Sequence, residues 1–350
     1  MSGRVGASWF PRADSPLSAR SRPKGLALPG CGVVARPLGP DRPESGLQAA
    51  GTTRTSALRL ALLVLVALFP AIARAQGGTK VVLLGTGFPR PDPNAWGPAT
   101  AVVVGDRVFL VDAGVGVERR MAAAHLPING PTALFITHLH SDHTLGLADL
   151  ILTSWVMQRP GPLHAFGPPG LQPMVDHLMA AYSIDLKVRT EGLEHETLDK
   201  SRVIVQEIQP GVIYDSAGVK VTAFRVDHGP LTAFGYRFDT PGRVVVISGD
   251  TRPSEELVKA SQGADVLVHE VYAGSHLKVE DRPGGDDWPT YMKSLHTSDV
   301  ELGQLAERIH PKLLVLTHVI RMGATDEEML AAVRQGFRGE VVMGRDLGEY

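Results

Sequence analysis

Thr137-His138-Leu139-His140-Ser141-Asp142-His143 follows the apolar run Ala133 to Ile136 and precedes Thr144-Leu145-Gly146-Leu147. A strand that ends in this pattern puts three imidazoles and a carboxylate on one tight loop. Burying so many polar groups without a common partner would cost several kcal/mol, on the order of 2–7 for each unpaired group in an apolar setting. A shared metal ion removes that cost, and none of the four residues serves packing. The loop therefore predicts a metal-dependent hydrolase.

Three further residues of ligand type stand where apolar runs end. His228 closes Val219 to Asp227, Asp250 closes Val244 to Gly249, and His318 closes Leu313 to Thr317. Polar residues at strand ends are common, so each is weak evidence by itself. With the loop they make five His and two Asp, enough for two ions bridged by one carboxylate.

Between these anchors, β-branched runs at Val81 to Leu84, Ala101 to Val104, Val108 to Val111 and Leu134 to Ile136 read as strands separated by Gly/Asp turns. Helical patterns follow at Val115 to Ala124, Ala148 to Gln158 and Leu171 to Ala181. A second strand-rich half covers Val203 to Ile208, Val219 to Val226, Ala233 to Phe238 and Arg243 to Ser248. It then alternates helix and strand from Ser254 to Met343. Two strand-rich halves flanked by helices predict an α/β fold, a four-layer αββα sandwich with its site at one sheet edge. Ala273 to Ser294, rich in Gly, Asp and Pro, reads as a long loop or lid.

The ends carry a different signal. Residues 1–53 have Pro- and Arg-rich stretches without apolar period and read as disordered, or as upstream sequence brought in by a misplaced start. In 54–75, Arg54 and Arg59 flank an apolar run from Leu60 to Phe69, and Ala73-Arg74-Ala75 precedes Gln76, the order of a secretory signal peptide. The run is short of the roughly 20 residues a membrane span needs, so a membrane would be met only through an uncleaved leader. The expected mature domain is 76–350, periplasmic or secreted. Removing the ten basic and three acidic residues of 1–75 leaves 25 Lys/Arg and 34 Asp/Glu, a net charge of about −9 that disfavours nucleic acid and leaves a small anionic ester as the expected partner. The sole cysteine, Cys31, lies upstream of the expected cleavage point, so the mature chain has no disulfide and no thiolate ligand. A homodimer is compatible with all of this.

From Lys80 to Tyr350 the chain resembles the metallo-β-lactamase-fold hydrolases, in particular a secreted arylsulfatase-like branch related to tRNase Z. The carriers include Leu84-Gly85-Thr86-Gly87, Val111-Asp112-Ala113-Gly114, the His138 loop, Gly167-Pro168-Pro169-Gly170, Ser248-Gly249-Asp250-Thr251, His269-Glu270, His296-Thr297-Ser298 and Leu316-Thr317-His318. The resemblance implies one divalent ion on His138, His140, His228 and Asp250, and a second on Asp142, His143, Asp250 and His318. Zinc is the default, with manganese or iron admitted by the same ligands. It further implies hydrolysis by a hydroxide held between the ions, with Asp142 orienting or deprotonating the water and His296 serving the leaving oxygen. His269 and Glu270 match half of a His-Glu-Ala-Thr motif that Val271-Tyr272 departs from, and are expected in support. Asp112 is expected to brace the metal loop or to serve its turn. His125, His164, His177, His195, His276 and His310 read as ordinary residues.

Only 22 positions separate His228 from Asp250, which leaves no room there for the long arm of tRNase Z enzymes. The expected activity is hydrolysis of a small ester, an aryl sulfate or a phosphodiester. A lactonase, a β-lactamase-type hydrolase, a tRNase Z-type endonuclease and a non-catalytic periplasmic metal-binding protein are the alternatives.

Overall fold

The computed structural model describes residues 78–350. The expected upstream segment 1–53 and leader 54–75 lie outside them. Among the described residues no helix is long and apolar enough to cross a membrane.

The first half begins as a meander, β1 (Lys80–Gly85), β2 (Ala99–Val104) and β3 (Arg107–Val111), all antiparallel. It continues in parallel through β4 (Ala133–Phe135), β5 (Leu163–Gly167) and β6 (Val203–Glu207). The second half repeats the scheme. β7 (Gly211–Ser216), β8 (Val219–His228), β9 (Leu231–Asp239) and β10 (Val244–Ile247) form an antiparallel meander. β11 (Val266–Tyr272), β12 (Leu313–Ile320) and β13 (Glu340–Met343) then add in parallel. A short last strand, β14 (Gly348–Glu349), returns to the first sheet and pairs with β1. Each sheet so contains seven strands.

The strands are apolar on both faces because both faces are covered. Val81, Leu83, Phe109 and Phe135 point into the layer between the sheets, where they meet Val221, Phe238, Val245 and Val268. Their neighbours Val82, Leu84, Val108 and Leu110 pack outward under α1 (Val117–Ala123), α3 (Leu147–Val156) and α4 (Leu171–Ala181). On the second sheet Leu267, Leu314 and Leu316 pack under α7 (Glu255–Ala260), α9 (Asp299–Ile309) and α10 (Asp326–Gly336). The arrangement is the expected four-layer αββα sandwich. Fully burying each such side chain is worth about 1.5–3 kcal/mol, so the sheets are anchored far more firmly than the loops between them.

Several elements differ from expectation. Ala273 to Ser294 is not one long loop: it forms 3₁₀ turns at Gly274–His276 and Gly285–Asp287, and the helix α8 (Trp288–Leu295). Pro289 stands in the first turn of that helix, where its missing N–H costs nothing, so it begins the helix instead of breaking it. α5 (Ser183–Glu191) and β7 gave no sequence signal because neither buries a regular apolar face. The small helices α2 (Ser141–Thr144) and α6 (Leu198–Ser201) complete the list.

One buried carboxyl lies apart from the metal-ligand candidates. Glu118, on the inner face of α1, has no hydrogen-bond partner for either carboxylate oxygen. Burial, reinforced by Asp149, pushes its pKa up to about 8. The unfolded chain ionises this group near pH 4.5 while the folded chain keeps it protonated, so stability falls as pH rises from about 4.5 to 8, by about 1.4 kcal/mol per pH unit at most. Glu118→Gln is expected to match the parent in Tm at pH 4.5–5 and to exceed it by a margin that widens up to pH 8–9. A constant Tm difference across that range would refute the assignment.

Candidate metal centre

The loop after β4 leaves the strand at Ile136, and two contacts from the other sheet hold it there. Phe234 N donates to Thr137 O at 3.0 Å, and the buried Tyr236 hydroxyl donates to Ile136 O at 2.6 Å. The loop also lies directly on the turn after β3. Ala113 N donates to His143 O and Gly146 N to Ala113 O, each at 2.9 Å. A Cβ on Gly146 would come within 2.1 Å of Gly114 O, so this backbone-on-backbone approach requires glycine.

Asp112 organises the turn. Its backbone is left-handed, φ 63°, which is unusual for a residue with a side chain. Its carboxylate repays that strain by accepting from Thr137 N at 2.8 Å, from Thr137 Oγ1 at 2.9 Å and from His143 Nδ1 at 2.8 Å. These bonds tie the turn after β3 to the loop that carries His138 and His143. Thr137, which adjoins the first histidine, carries half of this brace, a part that its place in the sequence does not disclose.

The seven expected ligands come together. His138 Nε2 and His228 Nε2 lie 3.0 and 3.1 Å from His140 Nδ1. Asp250 Oδ2 lies 3.4 Å from His318 Nε2, 3.5 Å from His143 Nε2 and 4.0 Å from His138 Nε2. Asp142 Oδ2 lies 3.2 Å from His318 Nε2 and 3.5 Å from His143 Nε2. These atoms form the clusters His138/His140/His228, His138/His143/Asp250 and Asp142/His143/His318, each able to hold an ion. Asp250 thus stands between the two groups, as a bridging carboxylate must.

His318 reaches the site through a bulge. Glu270 pairs with Thr317 and Val271 with Val319, which leaves His318 unopposed in β12 at φ 45°. The extra residue turns its ring out of the strand's alternation and toward Asp142 and Asp250. For this reason the strand continues to Ile320 past a residue that looked like its end.

Hydrogen bonds behind the rings make the cluster fit cations. His228 Nδ1 donates to Leu295 O at 2.9 Å, and His143 Nδ1 donates to Asp112. Thr137 Oγ1, committed as donor to Asp112, accepts from His138 Nδ1 at 3.0 Å. Each Nε2 is then left with a lone pair, and these lone pairs converge on one another and on carboxylate oxygens. The buried His143 Nε2 has no hydrogen-bond partner at all. Such an array is repulsive unless positive charge lies within it. Two ligands about 2.0–2.1 Å from a tetrahedral zinc sit about 3.3 Å apart, close to the spacings here.

The titration tendencies agree for three of the rings, while at His143 a proton meets the demand for positive charge that an ion would otherwise meet. Burial, helped by the neighbouring imidazoles, holds His138, His140 and His228 below the usual histidine range, which favours the neutral, lone-pair form. Burial would lower His143 as well, but the Asp250 and Asp112 carboxylates outweigh it and push it well up. Burial works against ionisation of Asp250, and His318 and His143 overcome it, keeping its carboxyl well below the usual range.

His296 adjoins this group and belongs to two further clusters able to hold an ion, His228/Asp250/His296 and Glu270/His296/His318, with its Nδ1 donating to Glu270 Oε1 at 3.1 Å and standing 4.0 Å from Asp250 Oδ2. Burial depresses its pKa, but Glu270 and Asp250 together raise it to about 9. Glu270 Oε1 also accepts from Thr251 N and Thr297 N, so one carboxylate fixes His296 and the turn that carries Asp250. Ser298 is the N-cap of α9, in a capping box with Glu301. His269, expected in support, is buried with Nδ1 donating to Glu270 O and joins none of the clusters.

The cluster floors a cavity of about 820 Å³. Its walls include Trp288 and Tyr291, whereas Trp155 is core, donating its indole N–H to Thr197 O. His276, read as ordinary from sequence, also lines the cavity and lies 3.7 Å from Glu328.

Comparison with known proteins agrees with this architecture. Residues 107–319 match the model of the beta-lactamase superfamily domain. A protein named Ribonuclease Z from Mycobacterium bovis is 36% identical over 275 residues, covering 77% of this chain and 96% of the relative. Among solved structures, the metallo-beta-lactamase fold protein YhfI from Bacillus subtilis superposes with a TM-score of 0.59 at 20% identity, covering 78% of this chain and 98% of that one. The short form of human tRNase Z gives 0.58 at 24% identity, covering 77% and 98%. With the family model spanning both ligand-bearing halves and a curated relative aligned over nearly its whole length, the chain belongs to the beta-lactamase superfamily and is a metal-dependent hydrolase of the metallo-β-lactamase fold.

Proposed function

We propose that this hydrolase cleaves phosphodiesters of small molecules with two divalent ions, zinc by default. The observation that carries the reading is the convergence of lone pairs and carboxylates about Asp250 Oδ2 on the floor of a cavity of about 820 Å³. His138, His140, His228 and Asp250 would hold one ion, and Asp142, His143, Asp250 and His318 the other. When bound, such ions supply a nucleophilic water near neutral pH and offset the negative charge that develops on the attacked centre. Asp142 would orient that water and take its proton, a role its position 3.2 Å from His318 and 3.5 Å from His143 supports. His296, with Nδ1 committed to Glu270, has Nε2 left to protonate the departing oxygen.

The name carried by the Mycobacterium bovis relative favours phosphorus over sulfur as the attacked centre. The same name favours a second reading, cleavage of RNA. Against it stand the net charge of about −9 from residue 76 onward and the tight β8–β9 hairpin that, with β10, fills the interval from His228 to Asp250. Aryl sulfates present a similar tetrahedral anion and form the third arm of the test. The order of residues in 54–75 supports a mature protein outside the cytoplasm, and N-terminal sequencing of exported protein checks it.

Initial rates of metal-loaded protein on bis-p-nitrophenyl phosphate, p-nitrophenyl sulfate and a precursor tRNA decide among the readings. The phosphodiester is expected to be preferred, and Asp142→Ala to abolish its turnover. Exclusive turnover of the tRNA or of the sulfate would overturn the proposal. Asp250→Ala should lose both metal and activity, and two ions retained with normal turnover would remove the bridge. Asp112→Ala is expected to weaken metal binding about 10–100-fold while the circular dichroism stays native. His296→Ala should slow poor leaving groups far more than nitrophenolate, whereas equal losses would remove its role.

A further inference from the structure

The cavity above the metal centre has a chemically uneven lining. Trp288 and Tyr291, one helical turn apart on α8, stack at 5.2 Å between centroids and 13° between planes. Tyr291 stands 6.2 Å from the ring of His296, and Phe88, from the loop after β1, stands 6.4 Å from the ring of His318. Tyr291 is 40% exposed. Packing therefore does not account for a large ring held open beside the two floor histidines.

The cavity lining sets Arg90, Lys278 and Arg282 against Asp142, Asp250 and Glu280, so it favours an anion once divalent ions offset the two aspartates on its floor. The guanidinium of Arg282 lies 4.9 Å from the centroid of the Trp288 ring. Glu280 pairs with Arg282, whereas Lys278 and Arg90 line the cavity outside any ion pair of 4.0 Å or less among the described residues. On a domain with an excess of acidic residues, unpaired cations gathered at one opening set a local field that draws in negative solutes. A cavity of about 820 Å³ with mostly apolar walls and a few charged groups is of a size for a small molecule.

Resting on the phosphodiesterase reading above, we infer that Tyr291, backed by Trp288, is a specificity-determining platform that selects esters whose leaving group is a planar aromatic ring. A phosphoryl group held over Asp142 and Asp250 directs its leaving oxygen toward His296, and the group attached to that oxygen then lies along Tyr291. A flat ring continues the stack that Trp288 begins. A flexible alkyl chain gains no such contact, and one aromatic pair discriminates by about 3- to 10-fold. The rigid partner beneath Tyr291 keeps its ring in place without a ligand, so the preference requires no rearrangement.

The test uses the zinc-loaded full-length protein and two non-hydrolysed anions with the same head group, phenylphosphonate and butylphosphonate, as inhibitors of bis-p-nitrophenyl phosphate turnover. The parent is expected to bind phenylphosphonate about tenfold more tightly. Tyr291→Phe should keep that preference and Tyr291→Ala should abolish it, with little change for butylphosphonate. Equal inhibition of the parent by both anions, or a preference that survives in Tyr291→Ala, overturns the platform while leaving the phosphodiesterase reading intact. Absence of phosphodiester turnover in a protein holding two metal ions overturns the reading on which the inference rests.

Discussion

A buried carboxylate surrounded by imidazole nitrogens is the constraint on which the site depends. Asp250 Oδ2 lies within 4.0 Å of nitrogens from four histidines, all of them deep in the structure. Without compensating positive charge, this arrangement would cost more than any single contact in the domain returns. The surrounding structure is organised so that cations meet that demand. Asp112, Thr137 and Leu295 O hold the rings from behind, Glu270 holds the turn after β10, and the bulge in β12 swings His318 inward. None of these groups need touch substrate. Each prevents a ligand from relaxing to a position where it would satisfy its own polarity and abandon the centre.

The two sheets bring the ligands together because both halves of the chain are built alike. In each, a meander comes first and parallel strands follow, so the ends of β4, β10 and β12 open on the same edge of the sandwich. Contacts from Phe234 and Tyr236 to the β4 end tie the sheets at that edge. Packing fixes the separation of the sheets, and these contacts set how far the His138 loop lies from the Asp250 turn.

The metal-ligand candidates were legible because each interrupts an apolar strand with a residue that packing cannot use. His138, His228 and Asp250 lie where the strand pattern stops, and the four-layer arrangement follows from doubly buried runs such as Val81 to Leu84. What was not legible depends on contacts made across the fold. Asp112 could be read equally as a turn residue, since its three acceptor bonds reach residues 25 and 31 positions away. His276 carries no local signal and acquires its place only when its 3₁₀ turn folds over the cavity. Trp288 and Tyr291 fell in a segment whose Gly, Asp and Pro content read as loop, because Pro289 does not disclose from composition alone that it stands in a first helical turn.

The return of β14 to the first sheet has a consequence for how the domain is made. Val81 and Tyr350 exchange backbone hydrogen bonds in both directions, and Arg243 donates to the Tyr350 carbonyl as well. β1 therefore waits for β14 before its outer edge is paired, a contact of very high sequence separation and of the kind that slows folding. Until those residues leave the ribosome, β1 exposes an unpaired edge to any other chain with a free strand. Closure of the first sheet is thus a late step in assembly, and the window for misassociation at β1 stays open until β14 docks.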